Sequence, residues 1–271
     1  MKRFRMVCAL SLLAGALAGS ACGQSPGQSP YQCRWSKDGW ILGACAMSGA
    51  GAAAVEHSIE PITLGEINRL SRADVNRFDR GATFNYSEQV TEASYALAGA
   101  VVAAPLALLL DHDVKDSWKT YSLMYMETVA FAVIIPAFAK GTAERIRPFV
   151  YNPDVPMDRR MTNDPRGSFF SRHTTMAFAS AMFLSTVHDA YHPGSASSPY
   201  IWAGSLLAAT AVGIMRVESG DHFPTDVIAG AAVGSAIGFI IPRMHRTDTG
   251  RFSLTPVLRG SDVGIALEME M

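Results

Sequence analysis

Thr174-Thr-Met-Ala-Phe-Ala-Ser-Ala-Met-Phe-Leu-Ser-Thr-Val187 is apolar without alternating and is threaded with Ala, Ser and Thr. A half-buried strand would show a period of two, whereas a run of this length rich in small residues reads as a helix that packs closely against others. Ser94 to Leu110, Tyr121 to Ala139, Tyr200 to Met215 and Val227 to Pro242 have the same character. Their connections are Asp111-His112-Asp113, the Pro/Asp/Arg-rich stretch from Arg147 to Arg166, and Pro193 to Pro199. Five such segments predict an all-α, up-and-down helical bundle. With 271 residues, 49% hydrophobic and 17% charged, the chain can bury one substantial core, and one helical domain is expected over 61–246.

Outward from the bundle the signals change. Leu64, Ile67, Leu70, Val75 and Phe78 fall at roughly helical intervals, predicting an amphipathic helix over Thr63 to Arg80 with a break near Ser71. Gly49 to Val55 is too rich in Gly and Ala to be read, and Gln24 to Tyr31 reads as a tether, so 22–60 is expected to be a flexible arm. Residues 1–21 read as an export signal: Lys2, Arg3 and Arg5, then apolar Val7 to Leu17, then Ala16-Leu17-Ala18. A lipoprotein signal acylating Cys22 is the alternative, though Gly19 stands where a larger aliphatic residue usually precedes such a cysteine. Export would let Cys33 and Cys45 bridge, or they stand as two separate thiols. Beyond the bundle, Val263, Ile265, Leu267, Met269 and Met271 alternate with other residues, and with Phe252 to Leu258 they predict a small C-terminal β-hairpin within 247–271.

A formal net charge of −1 argues against nucleic acid as a partner, because backbone binding needs surplus cations. Membrane association is more finely balanced. A span needs about 20 apolar residues, several segments fall short, Glu127 and Pro136 interrupt one of them, and Arg159, Arg160 and Arg166 disfavour the non-cytoplasmic side. Ala/Gly-rich segments are usual in membrane bundles, and the balance favours association.

Three clusters carry chemistry: Lys140-Gly-Thr-Ala-Glu-Arg-Ile-Arg147-Pro148, then Ser168-Phe-Phe-Ser171-Arg172-His173-Thr174, then Arg216-Val-Glu-Ser-Gly-Asp-His222-Phe-Pro-Thr-Asp226. Up-and-down topology brings them to one end of the bundle, because one helix ends at Lys140, the next begins near Ser171, the next ends at Arg216, and the last begins near His222. Four cations and two imidazoles at one apolar bundle end call for an anion. A phosphoryl group fits: Arg grips two oxygens, Lys adds a point charge, and N–H groups at a helix start add donors. His222 and Asp226, four apart, share a helical face, so Asp226 can take one ring proton and leave the other nitrogen to attack.

The clusters resemble the signature of the type 2 phosphatidic acid phosphatase superfamily, which also contains bacterial class A acid phosphatases and vanadium haloperoxidases. Lys, six residues, Arg-Pro, then Ser-x-His, then Arg, five residues, His, three residues, Asp is matched in order and spacing, and the likeness covers about Tyr95 to Pro242. It implies that Lys140, Arg147 and Arg216 bind phosphate, with Ser171 and the Arg172 backbone completing the cradle. His173 would protonate the leaving oxygen and His222 would form a phosphohistidine that water hydrolyses, with no metal and no cofactor. The implied protein is a phosphoric monoester hydrolase acting on a phosphomonoester or a lipid phosphate or diphosphate. It would work in a bacterial envelope, periplasmic or membrane-associated, with its site facing the periplasm. A noncatalytic phospholipid-binding envelope protein and a vanadate-dependent haloperoxidase are the alternatives, and the oligomeric state is left open. Two positions depart from the family pattern: Arg172 stands where Gly is usual, and Met215 where Ser is usual.

Other residues have plainer readings. Arg145, Arg159, Arg160 and Arg166 read as a solvated loop rather than a lid. Glu144, Glu218 and Asp221 either orient arginines or are simply exposed. His188, His192 and Asp189 belong to a loop at the far end, His57, His112 and His245 lack convergent partners, and Met124, Met126, Met176 and Met182 fill the core.

Overall fold

The computed structural model describes residues 29–162, 164–247, 253–259 and 262–268. Among them the long helices are α1 (Trp35–His57), α2 (Glu88–Ala103), α3 (Trp118–Ala143), α4 (Arg172–Tyr191), α5 (Ser198–Glu218) and α6 (Pro224–Met244). The five predicted segments are α2 to α6, so the helical class holds. Local chemistry sets their ends. The Ser87 hydroxyl accepts from the Val90 amide to start α2, and a 3-10 stretch over Ala104–Leu110, with Pro105 near its start, follows it. α3 stops where Glu144 turns left-handed at φ 41°. Pro224 at the first position of α6 gives up an amide that would have had no helical partner.

α4 is the central helix, packing against α2, α3, α5 and α6. Its closeness to α6 comes from a glycine ladder. A Cβ at Gly230 would lie 2.8 Å from the Ser171 carbonyl oxygen, at Gly234 2.3 Å from that of Thr175, and at Gly238 2.2 Å from that of Ala179. Only hydrogen fits at these three positions, and the two backbones run in contact. The core between α3, α4 and α6 is filled by Tyr121, Met124, Phe183, Val187, Ile237 and Ile241. Glu88–Leu110, Trp118–Tyr151, Ser198–Glu218 and Pro224–Met244 are each long and apolar enough to cross a membrane. By length and composition the chain is therefore built as a membrane protein. Glu127 and Pro136 do not interrupt α3, since both are buried inside it.

Several expectations are corrected. The flexible arm over 22–60 gives way to α1, which lies along α3 so closely that a Cβ on Gly141 would be 2.0 Å from Val55 Cγ1. Its stability is tertiary, which is why no stripe was readable. Residues 30–32 are also held: the Gln32 amide donates to the His245 carbonyl at 2.8 Å and the Thr247 amide to that of Pro30 at 3.0 Å. Thr63 to Arg80 is not one helix but Leu64–Ile67 and a 3-10 turn at Arg72–Asp74. Thr63 and Glu66 form a capping box that starts the first piece, and Ser71 caps the second. Cys45 is a free, buried thiol, so the Cys33–Cys45 bridge does not form. His245, read as lacking convergent partners, is buried beside Asp38 and Glu127. Ser253–Arg259 and Asp262–Glu268 pair antiparallel as β1 and β2. The export signal, Cys22, the 24–28 part of the tether and the flanks of the strands lie outside the described residues.

Candidate active site

Between α5 and α6 the chain turns through Gly220, whose φ of 77° is left-handed and whose Cβ would lie 2.2 Å from the Asn85 carbonyl oxygen. That turn delivers His222 into the interior, 1% exposed. Its Nδ1 lies 2.7 Å from the Ser168 carbonyl oxygen. A carbonyl only accepts, so Nδ1 carries the proton and Nε2 keeps its lone pair. Nε2 sits 3.5 Å from Arg147 Nη1. Burial, then the charges of Arg147, Lys140 and Arg216, hold the ring well below the usual histidine range, with Asp221 partly opposing them. His222 is therefore neutral, with an available nitrogen facing cations.

The spacing argument gives the Nδ1 proton to Asp226, but the structure gives it to Ser168. Asp226 Oδ2 is 3.9 Å from Nδ1. It accepts instead from Ser168 Oγ at 2.5 Å and from the Phe223 amide at 2.9 Å, while Oδ1 takes Arg145 Nη1 at 2.5 Å. In the first turn of α6 the carboxylate folds back onto its own helix N-terminus, where the dipole favours it. Asp226 thus positions the residue that positions His222.

Lys140, near the end of α3, is 5% exposed, and no hydrogen bond or ion pair joins its ammonium to another described residue. Gly167 lies against it and Arg147: a Cβ there would be 3.8 Å from Lys140 Cδ and 3.7 Å from Arg147 Nη2. Arg147 donates through Nε and Nη2 to the backbone and side chain of Asp164, both at 2.9 Å, and through Nη1 to the Asp221 carbonyl at 3.0 Å. Arg216 donates from Nη1 to Ser94 Oγ at 3.0 Å and pairs through Nη2 with Asp221 Oδ2 at 3.0 Å. Its buried Nε has no hydrogen-bond partner among the described residues. Burial alone would raise the Asp221 carboxyl, but the charges of Arg216 and Arg147 outweigh it and hold it down.

His173 follows Ser171 and Arg172 at the start of α4, its ring 4.8 Å from that of Tyr95. Burial, then the charges of Arg216, Lys140, Arg172 and Arg147, push its pKa down to about 3. The Ser171 hydroxyl caps α4, accepting from the Thr174 amide at 3.4 Å and the Thr174 hydroxyl at 2.9 Å, which leaves its own proton to donate. The Arg172 guanidinium does not enter the cradle. It donates to Glu56 of α1 at 2.9 Å, at the rim.

Lys140, Arg147, Ser171, His173, Arg216, His222 and Asp226 therefore meet at one end of the bundle, as the topology requires, and Arg172 points away. The arginines read as a solvated loop are engaged. Arg145 bridges Asp226 and Asp79, at 2.5 and 2.7 Å, over the Phe223 ring. Arg159 lies over Phe149, Arg160 donates to the Val150 carbonyl at 3.0 Å, and Arg166 meets Glu66 at 2.5 Å. Asp221 is 2% exposed and orients two arginines, which settles its open reading. Asp79, Asp164 and the Ser168 carbonyl gave no sequence signal. His188 is bonded to Ser197 and Ser198 and His192 to Asp111, at the far end.

Residues 121–249 match the model of the PAP2 superfamily, the superfamily to which the three clusters point. The bacitracin transport permease protein BcrC of Bacillus licheniformis is 29% identical over 118 residues, 43% of this chain and 52% of that protein, so the match spans about half the length of this curated relative. A transmembrane PAP2 type phosphatidylglycerolphosphate phosphatase from Bacillus subtilis has 18% identity and a TM-score of 0.45, covering 73% of this chain and 93% of that one. Aquifex aeolicus LpxE has 23% identity and a TM-score of 0.37, covering 68% and 98%.

Proposed function

We propose, for a chain whose residues 121–249 carry the PAP2 superfamily pattern, that it is a membrane-associated phosphatase hydrolysing a phosphomonoester or a lipid phosphate or diphosphate through a phosphohistidine on His222. The observation that carries this reading is the pairing of an unprotonated, buried Nε2 with a buried ammonium, that of Lys140, to which no described side chain is joined. Leaving a buried charge without a partner is costly, and an incoming phosphate supplies the partner.

In this scheme Lys140, Arg147 and the free Nε of Arg216 hold the phosphoryl oxygens, the Ser171 hydroxyl adds a donor, and charge spreading over those oxygens strengthens every contact. Nε2 of His222 bonds to phosphorus as the bond to the leaving oxygen breaks, and His173 gives that oxygen a proton. Water then attacks phosphorus, its proton passes to His173, and His222 is released with inorganic phosphate. The side chains supply all the neutralising charge, so the scheme calls for no metal or cofactor.

A lipid substrate is favoured by an apolar cavity of about 480 Å³ between α4, α5 and α6, lined by Phe178, Gly213, Ile214, Val217, Val227 and Ile228 among others. Two of its lining residues, Val217 and Pro224, stand one and two positions along the chain from Arg216 and His222, while no residue of the cradle itself lines the cavity. We place the site at the outer face of a bacterial envelope membrane.

Phosphate release from chromogenic and lipid substrates by wild type and His222→Ala tests the reading. Release by wild type alone is expected. Equal release by both would sink the histidine mechanism, and none from either would favour a phospholipid-binding role. Acid-quench trapping of an acid-labile phosphoenzyme is expected during turnover of wild type.

A further inference from the structure

Away from the cradle, three ligand-type side chains from three separate helical regions meet in the interior. Asp38 lies in the first turn of α1, Glu127 lies in the middle of α3, and His245 follows the end of α6; they are 0%, 1% and 2% exposed. Glu127 is thirteen residues before Lys140 on the same helix, about 20 Å away at 1.5 Å per residue. The cluster is therefore separate from the proposed phosphatase site and does not rest on it.

His245 Nδ1 lies 2.9 Å from the Ile241 carbonyl oxygen, so that nitrogen carries a proton, and a neutral ring would present the Nε2 lone pair in the orientation in which a backbone carbonyl holds a metal-binding imidazole. Nε2 is 3.1 Å from Asp38 Oδ1 and 3.4 Å from Glu127 Oε2. Despite those distances, neither Asp38 Oδ1 nor His245 Nε2 has a hydrogen-bond partner of acceptable geometry among the described residues, and both are fully buried. Two atoms each about 2.1 Å from one ion lie about 3.0 Å apart at a right angle and about 3.4 Å apart at the tetrahedral angle. The observed separations fall in that range.

We propose that Asp38 Oδ1, Glu127 Oε2 and His245 Nε2 are protein ligands of a buried divalent transition-metal ion that clamps α1 to α3 and to the end of α6. Mixed carboxylate and imidazole donors suit Zn²⁺ or Mn²⁺, with Zn²⁺ the tighter by the usual order of affinities. The role is structural. The clamp fixes the N-terminal half of α1, whose other end carries Glu56 to the rim of the cradle. The second cluster of this kind, Asp111, Asp113 and His192, is partly exposed, and its His192 to Asp111 contact at 3.0 Å is an ordinary hydrogen bond. It serves as the control.

The full-length chain, purified in detergent and stripped with chelator, is titrated with Zn²⁺ and analysed for bound metal, and Co²⁺ is added separately to read its visible absorption. Wild type should retain one ion per chain, show ligand-field bands with Co²⁺, and gain thermal stability with Zn²⁺. Asp38→Asn and His245→Gln should each weaken binding at least tenfold, and Asp113→Asn should change nothing. Failure of wild type to retain an ion or respond to Zn²⁺ would overturn the proposal without reference to any variant. So would binding that survives in Asp38→Asn and disappears in Asp113→Asn. Should His245→Gln not fold, the wild-type and Asp38→Asn measurements decide the matter by themselves.

Discussion

Replacing Gly234 by Ala tests whether the glycine ladder sets the site. The new Cβ would lie 2.3 Å from the Thr175 carbonyl oxygen, 3.0 Å from the Thr175 carbonyl carbon and 3.1 Å from the Ala179 amide nitrogen. A carbon and an oxygen in ordinary contact are about 3.3 Å apart, so α4 and α6 must open by about 1 Å. All three neighbours are backbone atoms, with no rotamer to change. The cost should reach the upper part of the usual overpacking range, about 2–3 kcal/mol. The same opening separates Ser171 and His173, carried by α4, from His222 and Asp226, carried by α6. Misplacing reacting groups by about 1 Å costs on the order of 100-fold in rate. Gly204 on α5 is the control, since a Cβ there meets nothing within 4 Å. Gly204→Ala should be neutral or stabilising by up to about 1 kcal/mol, the helix-propensity gain. Thermal unfolding in detergent and initial rates of phosphate release on all three proteins are the measurements. Wild-type unfolding and rate in Gly234→Ala, or an equal loss in Gly204→Ala, would refute the reasoning.

Arg145→Ala removes the common partner of Asp79 and Asp226, both 0% exposed, and should cost about 3–5 kcal/mol. Equilibrium denaturation checks this, and a loss below about 1 kcal/mol would contradict it. His173, with a pKa of about 3 in the fold against 6.5 for the free group, binds fewer protons folded than unfolded below about pH 6.5. Stability should therefore fall as pH drops from about 6.5 toward about 3, and His173→Asn should remove the upper part of that slope; identical unfolding profiles between pH 7.5 and 5 would count against the assignment. Asp79, Asp164 and Asp221, all held below the usual carboxylate range, add their loss only below about pH 4. Arg172→Gly deletes a partly exposed pair with Glu56 and one of the four charges acting on His173, so it should change stability by about 1 kcal/mol or less and keep phosphate release within about fivefold, whereas Arg147→Gly should abolish release.

The bundle was readable because α2 to α6 carry their packing rule in composition: apolar residues with small ones among them, with Ser87, Ser171 and Pro224 at the starts of α2, α4 and α6. Convergence of the three clusters followed from alternating helix direction and needed no atomic detail. α1 was not readable for a physical reason. Ala44 to Val55 has no amphipathic stripe, and its one buried carboxylate, Asp38, meets a histidine that is 207 positions away in the chain. Phe78 shows the opposite error, since it completes a helical period on paper yet is exposed. Within the site, spacing identified His222 and Asp226 as neighbours. It could not reveal that the Ser168 carbonyl stands between them, because hydrogen-bond partners across a loop depend on the path of the backbone. Arg172 was visible as a departure from the family pattern, but its direction depends on Glu56, on a helix that sequence did not predict.

In the proposed phosphatase scheme the electrostatics of the cradle set the order of events. A proton donor with a pKa of about 3 is useless as an acid at neutral pH, and His173 has that value because Arg216, Lys140, Arg172 and Arg147 all act on a buried ring. Those are also the charges that an arriving phosphate offsets. A doubly charged phosphate bound to Lys140, Arg147 and Arg216 replaces repulsion of the imidazolium by attraction, so the ring gains its proton only once substrate is in place. His222 lies in the same field but is held differently, its Nδ1 proton fixed on the Ser168 carbonyl and its Nε2 directed at the cations. In the proposed scheme two histidines under one positive potential thus take opposite roles: the one locked by a backbone carbonyl would stay the nucleophile, and the one resting against Tyr95 would become the acid.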